Sequence, residues 1–200
     1  LGNAWMGTES EQERNKLSVA ADMIRGHHAN VDATTITKVL LINNSEGADQ
    51  KGHNAVMLMN EAGEGIFLSY YPEGGAYAYA NGQMRVRMMS SDQVNTFLKT
   101  GQVYGATALG KYSATNQDET YNRYIEINIS AGSGRQMMNK GFEYLANAGI
   151  YHITGNQCDN VASNIMAAGG KGYWVSNIPN WSIEGVARDW GLALKRMRGM

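Results

Sequence analysis

The run His53-Asn54-Ala55-Val56-Met57-Leu58-Met59 constrains the fold more than any other stretch of the chain. It is apolar at odd and even positions alike, so as a strand it has no face to give to water and belongs in the middle of a sheet covered on both sides. Glu61-Ala62-Gly63-Glu64-Gly65 reads as a turn, and Ile66-Phe67-Leu68-Ser69-Tyr70-Tyr71 returns as a second strand, which predicts a β-hairpin. A period of two puts His53, Ala55, Met57 and Met59 on one face. His53 then stands at the entrance of the strand, on a face against which a helix could pack.

Other strands are read from β-branched or alternating runs. Residues 36–42 form one, closing at Asn43-Asn44, and residues 84–88 form another, with Arg85 and Arg87 on a shared face. The cleanest alternation is in residues 121–129, where Ile125, Ile127 and Ile129 lie opposite Tyr124, Glu126 and Asn128. Helices are expected over residues 9–25, with Thr8 or Ser10 as cap, and over 90–101, where Ser90 and Gln93 form a capping box and Gly101 the stop. A third opens at Ser130 or Ser133 and runs through Met137, Met138, Phe142 and Leu145 to Gly149. A last one runs through Val186, Trp190, Leu194 and Met197, and the aromatics of this C-terminal segment are expected to cover the core. The Gly, Ala, Ser and Thr-rich segment 104–120 shows no periodicity and reads as a surface or substrate-facing loop.

The only cysteine, Cys158, falls at the first turn of a further helix, in which Val161, Ala162, Ile165 and Met166 recur at helical spacing before Gly169-Gly170. The unpaired N–H groups of a helix start favour thiolate, so a cysteine there is a candidate nucleophile; the alternative is a small buried hydrophobe. One cysteine makes no internal disulfide, and no Cys/His cluster suggests a metal site, so the adjacent pair His27-His28 reads as exposed loop histidines. Seventeen basic against eighteen acidic residues, for a net charge of −1, leave no basic field for nucleic acid. No apolar run approaches the roughly 20 residues of a membrane span, and residues 1–13 show no signal pattern. At 200 residues, with neither repeat nor linker, one domain over 1–200 is expected, residues 1–35 a helical segment and 36–200 the core. Because the chain opens on Leu1 rather than Met, a longer native N-terminus is also expected.

Taken in order, these parts resemble a known family. Gly52-His53 opening an apolar strand, a second strand after a Gly turn, Tyr121-Asn122-Arg123-Tyr124-Ile125-Glu126-Ile127, a helix, and then Asn156-Gln157-Cys158-Asp159 opening a helix that ends Ala168-Gly169-Gly170 are similar to circularly permuted NlpC/P60-type papain-fold cysteine hydrolases. Members found as bacterial toxin or type VI secretion effector domains are the nearest likeness, which covers about residues 50–181, the Ile178-Pro179-Asn180 segment included. His53 precedes Cys158 by about a hundred residues, the permuted order.

The resemblance implies an α+β, papain-like fold, with an antiparallel sheet packed against the helix that starts at the cysteine. It implies Cys158 as nucleophile, His53 as general base and a third, orienting residue on the next strand, for which Ser69 is the candidate and Glu64 the alternative. Gln157 and the Cys158 N–H are candidate oxyanion donors, and His152 is a rival base. No cofactor or metal is needed for such a pair. The implied function is a peptidoglycan peptidase or amidase, made in the bacterial cytosol, secreted as an antibacterial effector and acting in a target cell's periplasm, with an immunity protein and a secretion-apparatus component as partners. A lipid or thioester acyl hydrolase or acyltransferase, and a non-catalytic binding domain, are the alternatives.

Overall fold

Thirteen regular elements follow one another in a computed structural model that describes residues 31–75, 79–109 and 114–197. They are β1 (Ile36–Asn44), β2 (His53–Asn60), β3 (Gly65–Pro72), β4 (Tyr79–Met89), α1 (Ser91–Thr100), β5 (Gln102–Leu109), β6 (Ala114–Thr120), β7 (Arg123–Asn128), α2 (Ala131–Ala146), β8 (Ile150–His152), α3 (Cys158–Ala168), α4 (Pro179–Asp189) and β9 (Lys195–Arg196). The helix expected over 9–25 and the His27-His28 pair lie outside the described residues.

The strands form one antiparallel sheet in the order β6-β5-β4-β3-β2-β1-β7-β9, with β8 paired to the first residues of β4. β2 is central, between β1 and β3, as its two-sided apolar sequence requires. Alternate residues feed two cores. Val39 and Leu41, Val56 and Leu58, and Ile66, Leu68 and Tyr70 meet Met137, Met138 and Phe142 of α2 and Val161, Ile165 and Met166 of α3 on one face. Leu40, Ile42, Ala55, Met57 and Phe67 meet Val94 and Phe97 of α1 on the other.

The chain is α+β, but it does not build the papain-like architecture that the resemblance implies. Two observations overturn that expectation. The described residues of the segment 104–120 are not a loop: 104–109 lie within β5 and 114–120 form β6, which extend the sheet beyond β4. Their small residues hide the pattern, because Val103, Ala106 and Ala108 are fully buried without the bulk that makes an alternation visible. The face carrying Ala55, Met57 and the His53 side chain is packed by α1, whereas the cysteine helix lies on the opposite face.

Helix ends follow local chemistry. Ser90 Oγ accepts the Gln93 N–H at 3.3 Å and Gln93 Oε1 accepts the Ser90 N–H at 2.9 Å, so α1 has its capping box, and Gly101 ends it at φ 71°. Ser130 caps α2, which lies so close to β1 that a Cβ on Gly134 would sit 2.5 Å from the Ile36 carbonyl oxygen. The C-terminal helix is earlier and shorter than expected. Pro179 starts α4, Gly191 follows its end at φ 63°, and Leu194 and Met197 lie beyond it, with Met197 buried beside α1. Trp174 and Trp181 are exposed rather than covering the core.

Candidate active site

At the end of β2 where His53 stands, a cavity of about 300 Å³ opens between the loop preceding the strand and the start of α3. His53 and Cys158 both line it, with Tyr71, Arg85, Gln157 and Lys51. Although the imidazole and the cysteine helix belong to opposite faces of the sheet, both line this cavity because each sits at the end of its element. The backbone N–H groups of Asn54, one residue past His53, and of Asp159 and Cys158 lie near the sulfur and favour its charged form.

The start of α3 is pinned from below. Asp159 is fully buried, and its carboxylate accepts from Asn54 Nδ2 at 2.7 Å, from the Tyr173 hydroxyl at 2.6 Å and from the Ser182 hydroxyl. These donors come from β2, the segment before α4, and α4. Burial raises the Asp159 pKa and the three donors oppose that rise. Asn43 Nδ2 holds Asn54 Oδ1 at 2.7 Å, and Arg123 Nε holds Asn43 Oδ1 at 2.6 Å, so strands β1, β2 and β7 all fix the position of the cysteine helix.

The loop before His53 is tied to α4. Asn180 Nδ2 donates to the carbonyls of Ser45 and Gln50, and the Asn180 N–H to that of Lys51. Within this loop Ala48, Asp49 and Gln50 hold positive φ, a left-handed run costly for side-chain residues and typical of tightly constrained site loops. Gly52 follows at φ 93°, packed so closely against the Asn180 side chain that no Cβ fits.

His53 is buried. Its Nε2 lies 2.9 Å from Ser69 Oγ, and its ring stacks on Tyr71 with centroids 4.0 Å apart. The Arg85 guanidinium covers Tyr71, 3.8 Å from the ring centre. Ser69 Oγ is 3.0 Å from the Tyr121 hydroxyl, which donates to Glu119 Oε2, and Glu119 Oε1 is paired with Arg85 Nη1 at 3.3 Å. Burial and the nearby Arg85 charge push the imidazole down to about 3, and burial pushes the Cys158 thiol up to about 12. The resting pair is therefore neutral thiol and neutral imidazole.

The other sequence-predicted residues are placed as follows. Ser69 is in contact with His53, whereas Glu64 is at the opposite end of the hairpin, roughly 20 Å away by strand rise, where it accepts from Asn60 Nδ2 and the Asp32 N–H. Gln157 Nε2 donates to the Ser176 carbonyl and its Oε1 accepts from the Cys158 thiol at 3.8 Å, so its amide N–H is already engaged rather than aimed at a substrate oxygen. His152 is not among the lining residues; its Nδ1 is 2.8 Å from the Thr154 hydroxyl. Sequence reasoning missed Tyr71, Arg85, Glu119 and Tyr121. A buried carboxylate on a strand was the available signal, but Glu119 fell in the segment read as a loop. Among the described residues no cluster of three or more His, Cys, Asp or Glu could hold a metal, and no helix is long and apolar enough to cross a membrane. No family model, curated protein or solved structure matches the chain.

Proposed function

We propose that the protein is a cysteine hydrolase in which Cys158 attacks an acyl carbonyl and His53 moves the proton. The supporting observation is that both groups line one cavity, with backbone N–H groups near the sulfur and Ser69 on Nε2 of the imidazole. With Nε2 held by Ser69, Nδ1 takes the proton of the thiol as sulfur bonds to the carbonyl carbon. The same nitrogen returns that proton to the leaving group when the tetrahedral intermediate collapses to a thioester. Water, deprotonated by Nδ1, then displaces the sulfur, and the thiol regains its proton. The Cys158 N–H, at the start of α3, is the proposed donor to the oxyanion.

Peptidoglycan amide bonds are the proposed substrate, and an antibacterial effector with its immunity and secretion partners the proposed setting; both rest on the motif resemblance. Purified protein incubated with peptidoglycan and, separately, with phospholipid vesicles should release new amine termini from the first, and Cys158→Ala and His53→Ala should release none. Products from phospholipid alone would transfer the site to acyl-ester chemistry. Expression with an added export signal should lyse or round bacteria while expression without one should not, and Cys158→Ala should be harmless in both. A second reading, a binding domain with a buried cysteine, is favoured by one observation: only 4% of Cys158 is exposed. Turnover that depends on Cys158 excludes it.

A further inference from the structure

We infer that Glu119 is a positioning residue that fixes the tautomer of His53 through the hydroxyls of Ser69 and Tyr121. The inference rests on the Cys158–His53 reading above for its catalytic meaning, while its structural content stands on the hydrogen bonds alone. Burial raises the Glu119 pKa, while the Arg85 charge and the hydroxyls of Tyr121 and Ser69 oppose that rise; as a carboxylate Glu119 only accepts, and the Arg85 guanidinium only donates. With Arg85 Nη1 on Oε1, the second oxygen of Glu119 takes the Tyr121 proton, so the Tyr121 oxygen is left as an acceptor. Ser69 therefore donates its hydroxyl hydrogen to Tyr121 or to the Glu119 carboxylate, which it also reaches, and in either case turns a lone pair toward His53 Nε2, 2.9 Å away. Nε2 must then carry the hydrogen, and Nδ1 is left with the lone pair. The Tyr71 hydroxyl also reaches Tyr121, whose two lone pairs accept both donors without reversing the direction. Each bond in the chain has one donor and one acceptor only in this sense, and its direction is set at the carboxylate. The side chains come from β3, β4, β6 and the residue that follows β6, and Ser69, Glu119 and Tyr121 are each at least 95% buried, so water does not compete for these hydrogens.

The substitution Glu119→Gln keeps the shape and reverses the instruction. Its amide oxygen must face Arg85, so its NH₂ faces Tyr121 and donates; the Tyr121 hydrogen is then free to turn toward Ser69, and that of Ser69 toward Nε2. A base with its hydrogen on Nδ1 cannot accept the thiol proton. Where a directly bonded carboxylate is neutralised in this way, the wrong tautomer costs on the order of ten-thousandfold in rate; through two hydroxyls we expect on the order of a hundredfold.

The test is ¹⁵N NMR of histidine-labelled full chain, with the His53 signals identified by their loss in His53→Ala. The expected result is the Nε2–H form in the parent and growth of the Nδ1–H form in Glu119→Gln. Ser69→Ala, which leaves the ion pair untouched, should abolish the single-tautomer state, and Glu119→Gln added to it should change nothing further. This variant also carries the test if Glu119→Gln does not fold. An Nδ1–H form in the parent, or the same tautomer in the parent and in Ser69→Ala, overturns the inference. Failure of the hydrolase reading shows separately, as absence of Cys158-dependent turnover in the parent.

Discussion

His53→Gln should flatten the acid limb of the stability curve, and its size follows from the burial of the imidazole. Gln is close in volume and retains a donor for Ser69, so packing around Tyr71 is least disturbed. His53 is 7% exposed and faces the Arg85 charge across Tyr71; its pKa falls from 6.5 to about 3 on folding. Because the folded value is the lower one, the unfolded chain takes up a proton below pH 6.5 while the native state does not. The stabilisation is thus whole above pH 6.5 and is lost as pH falls toward 3. In that window the slope is about 1.4 kcal/mol per pH unit, so about 2 kcal/mol is lost by pH 5 and about 5 kcal/mol is the ceiling near pH 3. The other titratable groups facing this ring, Glu119, Tyr121, Tyr71, Cys158 and Arg85, are common to both proteins and cancel in the comparison. Urea unfolding at pH steps between 7.5 and 4.5 measures it: the parent should lose stability on acidification faster than His53→Gln, the two curves diverging by about 2 kcal/mol at pH 5. Parallel curves would refute the placement of a neutral, buried imidazole at this site.

Asp159→Ala should cost at least about 3 kcal/mol in urea unfolding, since it strands three buried donors, those of Asn54, Tyr173 and Ser182; a loss below 1 kcal/mol, on the scale of a surface change, would mean that the helix start is not anchored there. Gly134→Ala should lower stability by about 1–3 kcal/mol by thermal melting, because the new methyl meets the backbone carbonyl of Ile36, a residue paired with Asn60 of β2. Cys158→Ser should be nearly inactive in the peptidoglycan assay while melting like the parent, because a serine hydroxyl beside this imidazole stays protonated; retained turnover would make another residue the nucleophile.

The parts of the fold legible in the sequence are those where a single element decides its own outcome. The two-sided apolar run of β2, the capping box of α1 and the spaced apolar residues of α3 each carry their reason within a few residues. The site is only half legible for the same reason. Cys158 and His53 stand out as residue types at element ends, but Glu119 and Tyr121 matter through a register between β5, β6 and β4 that no local pattern records. Ser69 could be named because the resemblance implies a polar residue on the strand after the histidine and Ser69 is the only polar, non-aromatic side chain in the middle of that strand; its register opposite Ala55 is visible only in the fold. Which face receives which helix was not legible, because β2 is apolar on both sides and accepts α1 or α3 equally.

The state of the thiol separates the local argument from the tertiary one. A helix start favours thiolate, and the N–H groups of Asn54, Asp159 and Cys158 add to that preference. Burial is the larger effect, and the Asp159 charge works in the same direction, so the thiol rises from 9.0 to about 12. A free enzyme with a preformed thiolate and imidazolium would need the opposite balance. The expected outcome is that the ultraviolet thiolate absorbance, taken as the difference between the parent and Cys158→Ala, stays absent through neutral pH and grows only well above pH 9. Alkylation by iodoacetamide should follow the same profile, which makes slow labelling at neutral pH compatible with catalysis. Proton transfer to His53 then accompanies attack on the carbonyl, where the developing charge passes to the substrate oxygen instead of residing on a buried sulfur. A thiolate titrating near neutrality would refute this, and would mean that the helix start and the N–H groups outweigh burial at the sulfur.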